Sequence, residues 1–171
     1  MAEVKLDYAA EQVRLLGVQL ADLYFEFVKE LYEEFGDEKT EKIVTRVLFT
    51  RAKERALDMI ARGEEKGLPR TPENIRNTSD VPYCGWVLAL GKDHCPYGMA
   101  WNKHIEKYPW FRKYAALYCD VTDTTIGEVY IGDHSHKLHK NVVLGDESCE
   151  REYYPDENVK KGIYTYDPDR K

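Results

Sequence analysis

The chain has 171 residues, 43% of them apolar and 12% aromatic, and a formal net charge of −6. That length and composition suffice for one domain with a real core and exclude wholesale disorder. The acidic balance argues against nucleic acid, which calls for a dense basic face. A mean hydropathy of −0.63, with no apolar run near the ~20 residues of a bilayer span, argues against a membrane partner. The expected partner is a small-molecule substrate or ligand.

Residues 5–35 read as one amphipathic helix, with Val13, Leu16, Leu20, Leu23, Phe27 and Leu31 at three- and four-residue steps. Gly36 is its expected stop, and Asp37 the start of a second helix whose apolar positions are Ile43, Val47, Ala52, Ala56 and Ile60. The two form a helical hairpin over 1–66, a surface through which the chain is expected to form a homo-oligomer. A polar stretch at 67–80 is a connector. The segment 81–90 reads as a strand. A helix follows that has Pro96 early in it, where a missing N–H costs nothing. From Trp110 to about Val129 a further helix places Phe111, Tyr114, Ala115, Tyr118 and Cys119 on one face. The period then changes to two over 134–144 and 149–154, two strands joined by Gly145-Asp146-Glu147-Ser148. Residues 155–171 are a turn-rich tail with a possible short strand at 164–166. The fold class is α+β: one domain, helical hairpin first, then an 81–154 core of a small antiparallel sheet with helices packed on one face.

The opening stretch MAEVKLDYAAEQ has no apolar signal core behind a basic cap, so the expected compartment is the cytoplasm, where thiols stay reduced. Four cysteines are present: Cys84, Cys95, Cys119 and Cys149. None belongs to a CxxC pair, which disfavours a zinc ribbon. Cys84 reads as a core residue. Cys95 precedes a helix, where the positive end of the macrodipole lowers a thiol pKa, and His94 beside it adds to this when protonated. These are the conditions of an activated nucleophile, although packing as a small hydrophobe is an equally simple role. Cys119 and Asp120 sit late in a helix with Asp123 one turn on. Either both groups enter a pocket, or Cys119 faces the core and Asp120 the solvent. His134 and His136 share a strand face at a spacing that suits a transition metal, or else form a polar surface with Lys137 and Lys140. Cys149, Arg151 and Tyr153 alternate onto one face, where Arg151 is out of keeping with a core.

Three landmarks occur in order: Cys95-Pro96-Tyr97 opening a helix, Tyr118-Cys119-Asp120, and Gly145-Asp146-x-x-Cys149. Over residues 80–154 this arrangement resembles the L-2-amino-thiazoline-4-carboxylic acid hydrolase family. The resemblance implies hydrolysis of a cyclic isothiourea bearing a carboxylate, by opening of its C–S bond. It implies a catalytic set of Cys95, His94, Cys119, Asp120 and Asp146, with Tyr97, Trp101, Asp123 and His136 around the substrate. No cofactor is required by the cysteine route. The alternative route is a hydroxide on zinc or iron held by Cys95, Cys119 and Cys149. The closing Gly-Asp-x-x-Cys segment is also similar to 4-vinyl-reductase-like domains, which implies a non-catalytic small-molecule- or metal-binding role.

Overall fold

The computed structural model describes residues 3–86 and 95–159. The expected segments at 87–94, which include His94, and at 164–166 lie outside them. Helices α1 (Leu6–Phe35) and α2 (Asp37–Glu65) form the hairpin. A 3-10 turn at Pro72–Asn74 leads into the one-turn helix α3 (Ile75–Thr78). Helix α4 (Pro96–Lys107) and helix α5 (Phe111–Ile126) follow, and α5 runs on as a π-helical turn at Gly127–Ile131. Strands β1 (His134–Lys140) and β2 (Glu150–Pro155) pair antiparallel, with His136 opposite Tyr153 and Leu138 opposite Arg151. The architecture is α+β, a mainly helical body with a two-stranded antiparallel sheet.

A single residue reverses the chain between α1 and α2. Gly36 adopts φ 74°, which an L side chain resists, and its N–H bonds the Tyr32 carbonyl at 3.0 Å, closing the last turn of α1. Asp37 then begins α2, where its carboxylate suits the helix N-terminus. It accepts hydrogen bonds from the Tyr114 hydroxyl at 2.6 Å and the Lys113 ammonium at 2.8 Å. The hairpin turn is thereby fastened to α5.

The buried face of α1 differs from the expected one. Ala10, Gly17, Ala21, Phe25 and Val28 point inward, whereas Leu16, Leu20, Leu23 and Phe27 face solvent. The reason is close approach: a Cβ at Gly17 would stand 3.0 Å from the Pro96 ring, and Trp101 donates its indole N–H to the Ala21 carbonyl at 3.0 Å. Small residues admit α4 where leucines would hold it off. In α2 the inward set is Thr40, Val44, Leu48, Ala52, Ala56, Met59 and Gly63. Ala52 and Ala56 are as expected, and Val47 is exposed.

The strand expected from residue 81 is not formed in its described part, where Tyr83–Gly85 make a 3-10 turn. Arg14 Nε donates to the Gly85 carbonyl at 3.1 Å and holds that turn on α1. The strand expected over 134–144 ends at Lys140 because Asn141 caps a further 3-10 turn at Val142–Leu144, its side-chain oxygen accepting from Val143 N at 3.1 Å. The connector is tied back to α2 by Arg55, whose guanidinium contacts both Asp80 oxygens at 2.8 to 3.1 Å.

Trp101 is 1% exposed and contacts the rings of Tyr24, Tyr97, Phe111 and Tyr118 at 5.1–6.3 Å between centroids. It is a core residue, which corrects its expected place beside a substrate. Trp101→Ala is expected to cost about 3–5 kcal/mol and to lower the thermal midpoint by roughly 10–15 °C in calorimetry.

Candidate functional site

Cys95 sits at the N-cap of α4, one residue before Pro96. The Trp86 indole N–H donates to its sulfur at 3.2 Å, and the amides of Gly98 and Tyr97 also favour the thiolate. Burial is the larger effect, and the Cys95 pKa is raised. The expected low-pKa thiolate is therefore corrected: desolvation outweighs the helix N-terminus and three N–H groups. Cys119, half-buried on α5, is pushed up more strongly, by burial and then by the neighbouring Asp123 carboxylate. Each of Cys95, Cys119 and Cys149 lies within range of the others' charge. Three thiols from the start of α4, the middle of α5 and the residue before β2 thus share one neighbourhood.

Around them stands a polar set that the sequence indicated only in part. Arg151 on β2 places Nη1 2.8 Å from Asp123 Oδ2 on α5. This pair explains the arginine on the Cys149–Tyr153 face. Asp123 is 15% exposed, and burial lifts its pKa despite the opposing charges of Arg151 and Arg55. His136, with a side chain 0% exposed, places Nε2 3.9 Å from the same Asp123 oxygen, too far for a hydrogen bond. Neither of its ring nitrogens has a hydrogen-bond partner among the described residues. Burial pulls its pKa down to about 4, helped by the Arg151 charge. On the other side Tyr97 packs edge-on to Trp86 and to Tyr118, with centroids at 5.6 and 5.8 Å, and Arg55 faces both tyrosines.

The structure therefore sets Cys95 in range of Cys119, Cys149 and Tyr97, and Asp123 beside both Cys119 and His136. It does not bring Asp120 inward: that carboxylate is solvent-exposed on α5, within charge range of His136, while Cys119 faces inward. Nor does it bring in Asp146, which is exposed and closes its own loop by accepting the Asn141 N–H at 2.7 Å. Arg55, Asp80, Tyr118 and Tyr153 were not anticipated as site residues. For Arg55 the signal was a cation on the α2 face marked by Ala52, Ala56 and Met59.

The metal reading does not fit. Among the described residues no three His, Cys, Asp or Glu side chains are grouped to hold an ion. His134 and His136 do not act as a pair, since His134 Nδ1 bonds Asp133 at 2.7 Å while His136 is buried. His139 pairs with Glu152 at 2.9 Å. Among the described residues no helix is long and apolar enough to cross a membrane. No family model, curated protein or solved structure matches this chain.

The His136 environment has a measurable consequence. In the unfolded chain its imidazole takes a proton near pH 6.5, in the native protein only near about 4. Between these values the unfolded state binds more protons, so stability falls as the pH drops through that window. Urea unfolding at pH 7 and pH 4.5 is expected to show a loss from this residue of ~2–3 kcal/mol. The loss is expected to be absent in His136→Gln; an equal loss in both proteins counts against a neutral buried imidazole.

Proposed function

We propose that the protein is a cysteine-dependent hydrolase of a small cyclic C–N/C–S substrate of the 2-aminothiazoline carboxylate type. The observation that carries the reading is the neighbourhood of three thiols, two of which, Cys119 and Cys149, lie in range of the Asp123–Arg151 pair. Cys95 receives N–H groups from Trp86, Gly98 and Tyr97. The likeness of residues 80–154 to the thiazoline-carboxylate hydrolases supports the same reading.

In this proposal Cys95 is the nucleophile. It is a thiol at rest, and its proton passes to a neutral base as sulfur adds to the amidine-like carbon. His136 is neutral at pH 7 and offers unpartnered nitrogens for that proton. The ring C–S bond breaks, and the departing sulfur takes a proton. Water then adds to the same carbon and displaces Cys95, leaving an N-carbamoyl cysteine. Asp123 accepts from the substrate N–H groups, and Arg151 meets the substrate carboxylate. Cys119, buried and with the Asp123 carboxylate beside it, stays protonated.

A second reading is favoured by the raised pKa values of Cys95 and Cys119: a non-catalytic domain that binds a small molecule against inert thiols. The partner is a small molecule in either case, together with a second copy of the chain through the N-terminal helices. We place the protein in the cytoplasm, since its four cysteines are all free, as a reducing compartment would keep them.

The deciding assay follows opening of 2-aminothiazoline-4-carboxylate by chromatography of the product. Turnover is expected in the native chain, a fall of at least ~10³-fold in Cys95→Ser, and less than about tenfold in Cys119→Ser. Undiminished turnover in a folded Cys95→Ser protein removes Cys95 as nucleophile. Saturable binding without turnover by the native chain decides for the second reading.

A further inference from the structure

Among the described residues, the outer face of α1 carries exposed apolar surface that no other element covers. Leu16, Leu20, Leu23 and Phe27 are 61, 49, 55 and 64% exposed. Their steps of four, three and four residues follow the 3.5-residue period of a coiled-coil seam. Helix α1 therefore has two adjacent apolar faces. One, built on Gly17 and Ala21, is covered by α4. The other presents roughly 400 Å² of contiguous apolar side chain, the size at which a patch marks an interaction site.

Charge selects the occupant and its direction. Along 26–34 the helix carries Glu26, Glu30, Glu33 and Glu34 against Lys29 alone, which repels the anionic surface of a membrane. Two copies of α1 side by side in parallel would set Glu26 against Glu26 and Glu30 against Glu30. An antiparallel pair centred between Leu20 and Leu23 avoids this. Leu16 of one copy then meets Phe27 of the other, Leu20 meets Leu23, and the acidic stretch lies along residues 9–17, where Glu11 and Arg14 cancel. These are the a-to-d layers of an antiparallel coiled coil.

We propose that the protein is a homodimer through this seam, the two α1 helices antiparallel about a two-fold axis between Leu20 and Leu23. This specifies the self-association named above and is independent of the chemistry at Cys95. The two stripes with their flanks bury on the order of 1,000 Å², the lower end of specific interfaces. The dimer is therefore of moderate affinity, with a dissociation constant on the order of micromolar.

Sedimentation velocity on the full chain from about 1 to about 100 µM is expected to show a monomer–dimer shift. Leu20→Glu and Leu23→Glu are expected to weaken it at least ~10-fold, with an unchanged circular dichroism spectrum because both side chains are exposed. A strict monomer across the range overturns the proposal, as does a dimer indifferent to both substitutions. Orientation is read by oxidative cross-linking, with the new disulfide located by peptide mass. A mixture of Leu16→Cys and Phe27→Cys proteins is expected to cross-link, and efficient cross-linking of Leu16→Cys with itself overturns the antiparallel seam. Turnover assayed on the same Leu20→Glu protein reports the site separately, so loss of the dimer and loss of the hydrolase reading are distinguishable.

Discussion

The packing of aromatic rings between α1, α4 and α5 is the constraint on which the remaining structure depends. Tyr24 contacts the rings of Trp101, Phe111 and Tyr118 at 5.5, 6.1 and 5.3 Å, and its hydroxyl donates to the Tyr114 carbonyl at 3.0 Å. Phe25 stacks on His104 at 3.8 Å, and His104 pairs with Asp22 at 2.8 Å. Aromatic pairs of this kind contribute about 0.5–1.5 kcal/mol each beyond their buried area. Their geometric effect is larger than any one energy. With Trp101 seated on α1, the start of α4 is set, and so is Cys95. With Tyr118 against the same rings, Cys119 must turn inward beside it.

The sheet supplies the other half of the site and is held by charge as well as by the His136–Tyr153 ring contact at 5.2 Å. Burying the Asp123 carboxylate is costly, and contact with Arg151, which keeps part of its side chain in solvent, offsets that cost only in good geometry; the 2.8 Å separation provides it. His136 gains no such compensation. A buried imidazole with unpartnered nitrogens forfeits hydrogen bonds to water worth about 1–3 kcal/mol. A strand required only for packing would be better served there by an apolar residue. The π-helical turn at Gly127–Ile131 carries the chain directly from α5 to β1, so the helix bearing Asp123 and the strand bearing His136 are consecutive. Such turns accompany functional sites in many helices.

Much of this fold was legible from residue spacing. The ends of α1 and α2 follow from Gly36 and Asp37, the start of α4 from Pro96, and the inward face of α5 from Phe111, Tyr114 and Ala115. The misread element was the working face of α1. Periodicity ranks stripes by size and apolarity, and it favoured Leu16, Leu20, Leu23 and Phe27. Close packing instead favoured the smaller Gly17 and Ala21, because a neighbouring helix approaches nearest where side chains are shortest. In the site, Cys95, Cys119, Cys149, Tyr97, Asp123 and His136 were named from the sequence. Asp120 and Asp146 are exposed: which residues of α5 turn inward depends on the helix's rotation against its neighbours, and Asp146 is spent on closing its own loop.

By itself the sequence determined the helix boundaries, the two-residue period of the sheet and the presence of isolated cysteines without a zinc-ribbon spacing, because these are local properties of caps, turns and repeats. Only the tertiary structure decided that Arg151 faces Asp123, that His136 is buried, and that Cys95 remains a protonated thiol at a helix N-terminus. Each of these is a matter of desolvation and of distance between groups far apart in the chain. Burial sets the balance between a helix dipole and a low-dielectric surround, and that balance comes into being only when α4, α5 and the sheet have closed on one another.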